Sequence, residues 1–234
     1  MQNEALIWGV GVGPGDPGLL TVNAIKHIQA CNILAFPTEE SGHSRAYDTV
    51  KDYVKQSSTK YPFILPLYQT QEQRQQFYQQ QARFFKSVAE KGQKVVVLCE
   101  GDPLLYGSFQ YVLHELIDSR QVGIVPGISS VNAGAAMAHW PLISGNETML
   151  VLPATLDEEQ LKQQLQFCIT AIILKVGRHL PKIKKILSLM SGYEQALLIE
   201  NVSANGQRIS LLHQVCVNEV SYFSLILWRR EKND

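Results

Sequence analysis

The sequence predicts an α/β protein of two tandem domains, the first sheet mainly parallel and the second mixed. Three observations lead there. Short apolar runs alternate with longer amphipathic stretches along the chain, which is the pattern of strands alternating with helices. Three of the early runs end in loops of Gly, Pro, Ser and acidic residues, each followed by helical periodicity. Beyond residue 190 the apolar runs succeed one another with no helical stretch between them, as antiparallel strands do.

Taken in order, residues 5–10 read as a buried strand running into Gly11-Val-Gly-Pro-Gly-Asp-Pro17. Leu19, Leu20, Ile25 and Ile28 then mark one face of a helix, with Asp16 as its N-cap and Pro17 as its first residue, because proline lacks the amide that a helix start leaves orphaned. Residues 33–36 form a second strand, and 46–54 a helix capped by Ser44. Residues 69–81 are rich in Gln, yet Phe77, Phe84, Phe85 and Val88 keep helical spacing, which predicts a long surface helix. Residues 94–99 are a β-branched run typical of a central parallel strand. Glu100-Gly-Asp-Pro103 then repeats the sequence carboxylate, proline, helix, with the helix over 104–116. Residues 122–125 are a strand closed by Pro126-Gly-Ile-Ser-Ser130, where a serine caps an Ala-rich helix over 131–138. Past Trp140-Pro141 the pattern restarts, with strands at 149–152, 171–175, 196–199, 208–212 and 222–228 and helices at 157–167 and 181–190. The domains are accordingly 1–126 and 127–234, and no internal repeat relates them.

Composition narrows the function. With 45% hydrophobic and 18% charged residues the 234-residue chain buries a real core. Lys plus Arg and Asp plus Glu both number 21, so no long-range field draws in a polyanion, and no basic stripe with exposed aromatics marks a nucleic-acid partner. Cys31, Cys99, Cys168 and Cys216 are widely spaced and lack neighbouring His, which argues against a disulfide framework and a zinc site and favours a reducing cytoplasm. No apolar run approaches the roughly 18 residues that span a bilayer, and Met1-Gln-Asn-Glu4 lacks the basic start of a signal peptide.

In an open parallel sheet, ligands sit beyond the carboxyl ends of the strands, and the loops 9–16, 100–103 and 126–130 all lie there. The first is not a dinucleotide fingerprint. Counting from Gly9 puts Pro14 in the sixth place of G-x-G-x-x-G, and counting from Gly11 puts Asp16 there, so a pyrophosphate meets a missing amide or a carboxylate. The Walker pattern is absent. Acidic, glycine-lined loops instead suit a ligand with hydroxyls, an amine or a positive charge, such as a sulfonium nucleoside. Taken singly, Asp16 and Asp102 read as helix caps; three such loops on one sheet read as a site.

Gly9-Val-Gly-Val-Gly-Pro-Gly-Asp-Pro-Gly-Leu-Leu-Thr21, Glu100-Gly-Asp-Pro-Leu-Leu-Tyr-Gly107 and Val125-Pro-Gly-Ile-Ser-Ser130 resemble the signature loops of the tetrapyrrole methylases, which use S-adenosyl-L-methionine. Pro37-Thr38, Ser44-Arg-Ala46, Leu152-Pro-Ala154 and Leu174-Lys-Val-Gly-Arg-His-Leu-Pro181 resemble the branch that methylates precorrin-2 or cobalt-factor II at C-20. The resemblance covers nearly the whole chain, and departs at Gly18, where many relatives have Glu, and at Glu100, where several have Gly. It implies the tetrapyrrole methylase fold, a cytoplasmic homodimer, and a cofactor folded between two domains. By position, Pro14, Glu100, Gly101, Asp102, Leu105, Tyr106, Ser129 and Ser130 would line the cofactor site from the first loops, and Leu152, Ala154, Val176, Asn201 and Val202 from the second domain. S-adenosyl-L-homocysteine would be the product. The implied substrate is a small polycarboxylate macrocycle, with Arg45, Lys175, Arg178 and His179, and also His43, as candidate partners for its carboxylates. Removal of the meso proton needs an acceptor, for which Tyr106, Asp102 or a bound water qualifies. Two alternatives remain open at this point: a methylase of the same superfamily acting on a different corrinoid intermediate or on a macromolecule, either ribosomal RNA or a diphthamide-bearing factor, and a non-catalytic adenosine-ligand sensor or scaffold.

Overall fold

A computed structural model describes residues 5–65, 70–116, 122–216 and 219–231. The chain divides into two compact units, Met1–Ser129 and Ser130–Asp234. The first holds β1 (Ile7–Gly11), α1 (Val22–Ala30), β2 (Ile33–Thr38), α2 (Arg45–Val50), β3 (Thr59–Ile64), α3 (Gln71–Ala89), β4 (Val95–Cys99), α4 (Phe109–Leu116) and β5 (Val122–Val125). Its sheet has the order β3-β2-β4-β1-β5, and every pairing is parallel. The apolar run of β4 is continuous because both faces are covered. Val95, Val97 and Cys99 pack with Tyr78 and Phe85 of α3 and Phe109 of α4, whereas Val96 and Leu98 pack with Ala24 and Ile28 of α1 and Ala46 of α2.

Three local expectations are corrected here. Asp16 caps only a 3₁₀ turn, Pro17–Leu19, by accepting from the Gly18 amide; α1 starts at Val22, where the Thr21 hydroxyl accepts from the Ala24 amide at 3.0 Å. Gly18 is a poor helix residue, and Thr21 is the stronger place to begin. The helix expected over 104–116 starts at Phe109, because Tyr106 takes a left-handed φ of 55° that breaks helical continuity ahead of it. Strand β3 was not expected at all, since Pro62 interrupts its pattern; it lies at the sheet edge, where proline is tolerated. The Gln-rich segment does form α3, begun by a reciprocal cap between Thr70 and Gln73; Gln69 lies outside the described residues.

The second unit holds α5 (Ser130–Met137), β6 (Met149–Pro153), α6 (Glu158–Leu165), β7 (Thr170–Leu174), α7 (Leu180–Leu187), β8 (Leu197–Glu200), β9 (Arg208–Leu211) and β10 (Ser224–Arg229). Its sheet runs β6-β7-β10-β8-β9. Only β6 with β7 is parallel; β10 runs antiparallel to β7 and β8, and β8 to β9, so this sheet is mixed. Trp228, Leu161, Leu165, Leu180 and Ile183 fill one core against it. The buried Glu147 carboxylate receives Arg229 at 2.6 Å, tying the loop before β6 to the last strand.

Candidate active site

In the first unit β4, β1 and β5 are neighbours, so the loops that follow them meet at one rim. They are joined by main chain. Gly13 and Gly101 pair as an isolated bridge, with Gly101 N donating to Gly13 O at 2.8 Å and Gly13 N to Gly101 O at 3.3 Å. Asp102 ties in the third loop: Oδ2 accepts from the Gly127 amide at 3.0 Å while Oδ1 accepts from the Leu104 amide at 2.9 Å. Residues 127–129, which the sequence division places after the boundary at 126, lie in the first compact unit, and Gly127 is hydrogen-bonded within it. Glycine is obligatory at the crossing, where a Cβ on Gly127 would lie 2.1 Å from Gly101 O and one on Gly11 2.5 Å from Gly127 N.

Around this seam the rim gathers Pro14, Glu100, Gly101, Asp102, Leu105, Tyr106 and Ser129. Leu104, Leu105 and Tyr106 are exposed apolar groups on the turn after Pro103. Tyr106 is held in the left-handed region, a conformation costing of order 1–3 kcal/mol that clusters at functional sites. Glu100 stands half-buried at the end of β4. Burial pushes its carboxyl above the ordinary range, a backbone hydrogen bond and Arg45 draw it back, and Glu39 adds to the rise. Burial in turn lowers the Arg45 guanidinium, which Glu100 and Glu39 help to keep charged. Arg45 thus already faces two carboxylates of its own unit. His43 is similarly engaged, its Nε2 lying 2.9 Å from Asp48 and its Nδ1 3.6 Å from Glu39. Glu39 escaped the sequence reading; its only signal was a carboxylate just past a buried strand.

In the second unit β6, β7 and β8 point their C-termini to one end of the sheet, since β7 and β8 both oppose β10. That end collects Leu152, Ala154, Lys175, Val176, Arg178, His179, Asn201 and Val202, while Ser130 opens α5. The side chains of Leu152, Ala154 and Val176 belong to the unit's core, and Val202 is buried as well. Lys175 and Asn201 are left-handed, with φ of 59° and 50°. Asn201 is fixed by the Ser221 hydroxyl, which donates to its Oδ1 at 3.1 Å. Lys175 and Arg178 are exposed and His179 half-buried. Burial, then Lys182 and Arg178, hold the His179 imidazole below its ordinary value. The charges at the starts of α6 and α7 are opposite. Helix α6 begins with Asp157, Glu158 and Glu159, as the helix dipole favours. Helix α7 follows Arg178 and His179 and has no acidic residue in its first turn.

Residues 6–212 match the Tetrapyrrole (Corrin/Porphyrin) Methylases. The Precorrin-2 C(20)-methyltransferase of Sinorhizobium sp is 34% identical over 231 residues, covering 94% of this chain and 93% of that protein. The Cobalt-precorrin-2 C(20)-methyltransferase of Salmonella typhimurium is 26% identical over 228 residues, covering 96% of each. Among solved structures, uroporphyrin-III C-methyl transferase from Thermus thermophilus complexed with S-adenyl homocysteine superposes with a TM-score of 0.67 at 22% identity, covering 95% of this chain and 96% of that one. With the parallel and mixed sheets already described, these likenesses have one reading: the chain belongs to the tetrapyrrole methylases.

Proposed function

We propose that this protein is a C-methyltransferase that uses S-adenosyl-L-methionine to methylate C-20 of precorrin-2, metal-free or cobalt-loaded, in corrin-ring biosynthesis. The observation that carries the reading is the seam of Gly13 with Gly101 and Asp102 with Gly127, in a chain similar along 94% of its length to a protein named for that reaction. The rim fits the cofactor. Glycines bring main chain to the surface, and the acidic rim, with Glu100 and Asp102, suits an amine and a sulfonium where phosphate would be repelled. Pro14, Glu100, Gly101, Asp102, Leu105, Tyr106, Ser129 and Ser130 would hold it, with Leu152, Ala154, Val176, Asn201 and Val202 contributed by the second unit. When bound it supplies an electrophilic methyl group.

The chain's own work is then placement. Holding the macrocycle's C-20 in line with the methyl group is worth roughly 7–11 kcal/mol of barrier, whereas a general base adds about 10²- to 10⁴-fold. Arg178 and Lys175 ahead of α7 form a cationic turn for the substrate's carboxylates, with His179 as a hydrogen-bonding partner beside them, and Arg45 is a further partner once it exchanges its internal carboxylates for those of the substrate. Tyr106, Asp102 or a bound water would take up the proton that C-20 loses. The protein acts as a cytoplasmic homodimer in this reading; the family resemblance supports the dimer, and free Cys31, Cys99, Cys168 and Cys216 support a reducing compartment. Among the described residues no helix is long and apolar enough to cross a membrane.

The decisive assay incubates the protein with S-adenosyl-L-methionine and either metal-free or cobalt-loaded precorrin-2 and weighs the product. A gain of one methyl at C-20 on either macrocycle is expected. No gain on both, or no heat on titration with S-adenosyl-L-homocysteine, overturns the proposal.

A further inference from the structure

We propose that Ser221 is a positioning residue of the cofactor site: its hydroxyl sets the turn Asn201-Val202-Ser203, which the second unit contributes to the methyl donor. The assignment rests on the methyl-transfer reading above, in which Asn201 and Val202 line that site, and it adds a group that touches neither substrate.

The turn leaves β8 with two left-handed residues in three, Asn201 at φ 50° and Ser203 at φ 54°. Asparagine tolerates that region better than most side chains, and serine has little reason to enter it. Such a shape persists where neighbours over-determine it, and here they do. The Asn201 amide donates to Phe223 O at 2.8 Å, the Asn201 carbonyl accepts from the Ala204 amide at 2.9 Å, and the Ser203 amide donates to Gln207 Oε1 at 2.6 Å. Those bonds fix the main chain. The Asn201 side chain reaches Gly206 O only at 3.4 Å, so its shorter tie is the one from the Ser221 hydroxyl at 3.1 Å.

Ser221 is itself held at every polar atom. Its Oγ accepts from the Phe223 amide at 3.2 Å, its carbonyl accepts from the Ser224 hydroxyl at 2.7 Å, and its amide donates to Glu200 Oε1 at 3.4 Å. Glu200 is the last residue of β8 and its carboxylate is buried; the other oxygen receives Arg208 Nε at 2.8 Å and Nη2 at 2.5 Å from the facing strand β9. An ion pair therefore braces Ser221 from one side and the first residue of β10 from the other, and the hydroxyl passes that rigidity to Asn201. Between the two left-handed residues, Val202 is 4% exposed, and among the described residues its amide has no hydrogen-bond partner. Buried main-chain donors are almost always paired, so a donor left over in a strained, firmly held turn is a place for a polar ligand atom.

The test measures S-adenosyl-L-homocysteine binding by calorimetry, and steady-state methylation, for wild type, Ser221→Ala, Ser221→Thr, Asn201→Ala and the variant carrying both alanines. A wild type that binds no S-adenosyl-L-homocysteine overturns the methyl-transfer reading and this assignment together; the variants bear on Ser221 alone. We expect Ser221→Ala to raise the Kd about tenfold, as loss of one neutral hydrogen bond does. KM for the methyl donor should rise likewise, with kcat and the KM for the tetrapyrrole within about twofold of wild type. Ser221→Thr keeps the hydroxyl and should bind within about threefold of wild type. Because Ser221 acts through Asn201, Ser221→Ala should cost no further affinity once Asn201 is alanine. An unchanged Kd in Ser221→Ala overturns the assignment, even where that variant unfolds earlier. So does a Thr variant as weak as Ala, or full additivity of the two alanines.

Discussion

The rim of the first unit and the cationic turn of the second are both loop regions at the C-terminal ends of strands, yet they are built from different materials. The rim is made of main chain: Gly13 and Gly101 exchange amide hydrogen bonds, and Asp102 spends its carboxylate on two further amides. The turn from Lys175 to Lys182 is made of side chains at the start of α7, projecting charge that the helix itself does not want. Main-chain seams tolerate little change in residue type, since a side chain at Gly11 or Gly127 would overlap main chain and Gly13 and Gly101 take positive φ. Charged side chains on a helix start are individually replaceable and act through their sum. Substitutions at the rim should therefore act through structure and cofactor affinity, and substitutions in the turn through substrate affinity.

The sharpest way to break that contrast is Gly127→Ala. Its Cβ would fall 2.1 Å from the Gly101 carbonyl, so the loops must part; we expect a loss of about 3 kcal/mol in stability by denaturant unfolding, with S-adenosyl-L-homocysteine affinity reduced by at least about 100-fold. Next, Asp102→Asn turns an amide group toward the Gly127 N–H and leaves one donor unpaired, costing about 2 kcal/mol; unchanged unfolding curves would show that the staple contributes nothing. Arg178→Ala should raise KM for the tetrapyrrole by about tenfold and leave the KM for the methyl donor alone, as loss of one solvent-screened charge-assisted contact does. If both constants move together, the turn is part of the cofactor site and the division of labour is wrong. Tyr106→Phe should keep kcat within about tenfold of wild type, and abolished turnover with normal cofactor binding would make that hydroxyl indispensable.

The smallest effect concerns pH. The His179 imidazole is held below its ordinary 6.5 by burial, Lys182 and Arg178, so the unfolded chain binds more protons there than the folded one. Stability should therefore rise with pH from the depressed midpoint up to about 6.5, and Lys182→Ala should move the His179 midpoint upward in an NMR titration. A midpoint that stays put would mean that Lys182 lies too far away to matter.

Much of this was legible in the residues. The apolar run at β4 reads as a central strand because both of its faces are buried, and β5 could be placed residue for residue. The absence of any helical stretch between β9 and β10 already implied antiparallel pairing. The three loops were identifiable as a group because glycine, proline and acidic residues recur at successive strand ends. Helix starts were harder. Asp16 and Asp102 look like caps in sequence, and each does accept a nearby amide two residues on, but that bond closes a turn as readily as it opens an α-helix. Edge strand β3 was hidden by Pro62, whose cost depends on whether a neighbour needs its missing amide.

By itself, the sequence determined the α/β architecture, the family resemblance and the set of three glycine-lined loops at successive strand ends, because these follow from periodicity and from residue types with few conformational choices. Only the tertiary structure decided that Asp102 is a staple between loops, that Tyr106, Lys175 and Asn201 sit in left-handed backbone, and that Arg45 faces Glu100 and Glu39. Those facts depend on distances between segments far apart in the chain, and burial and charge at Glu100 are properties of what surrounds it rather than of glutamate.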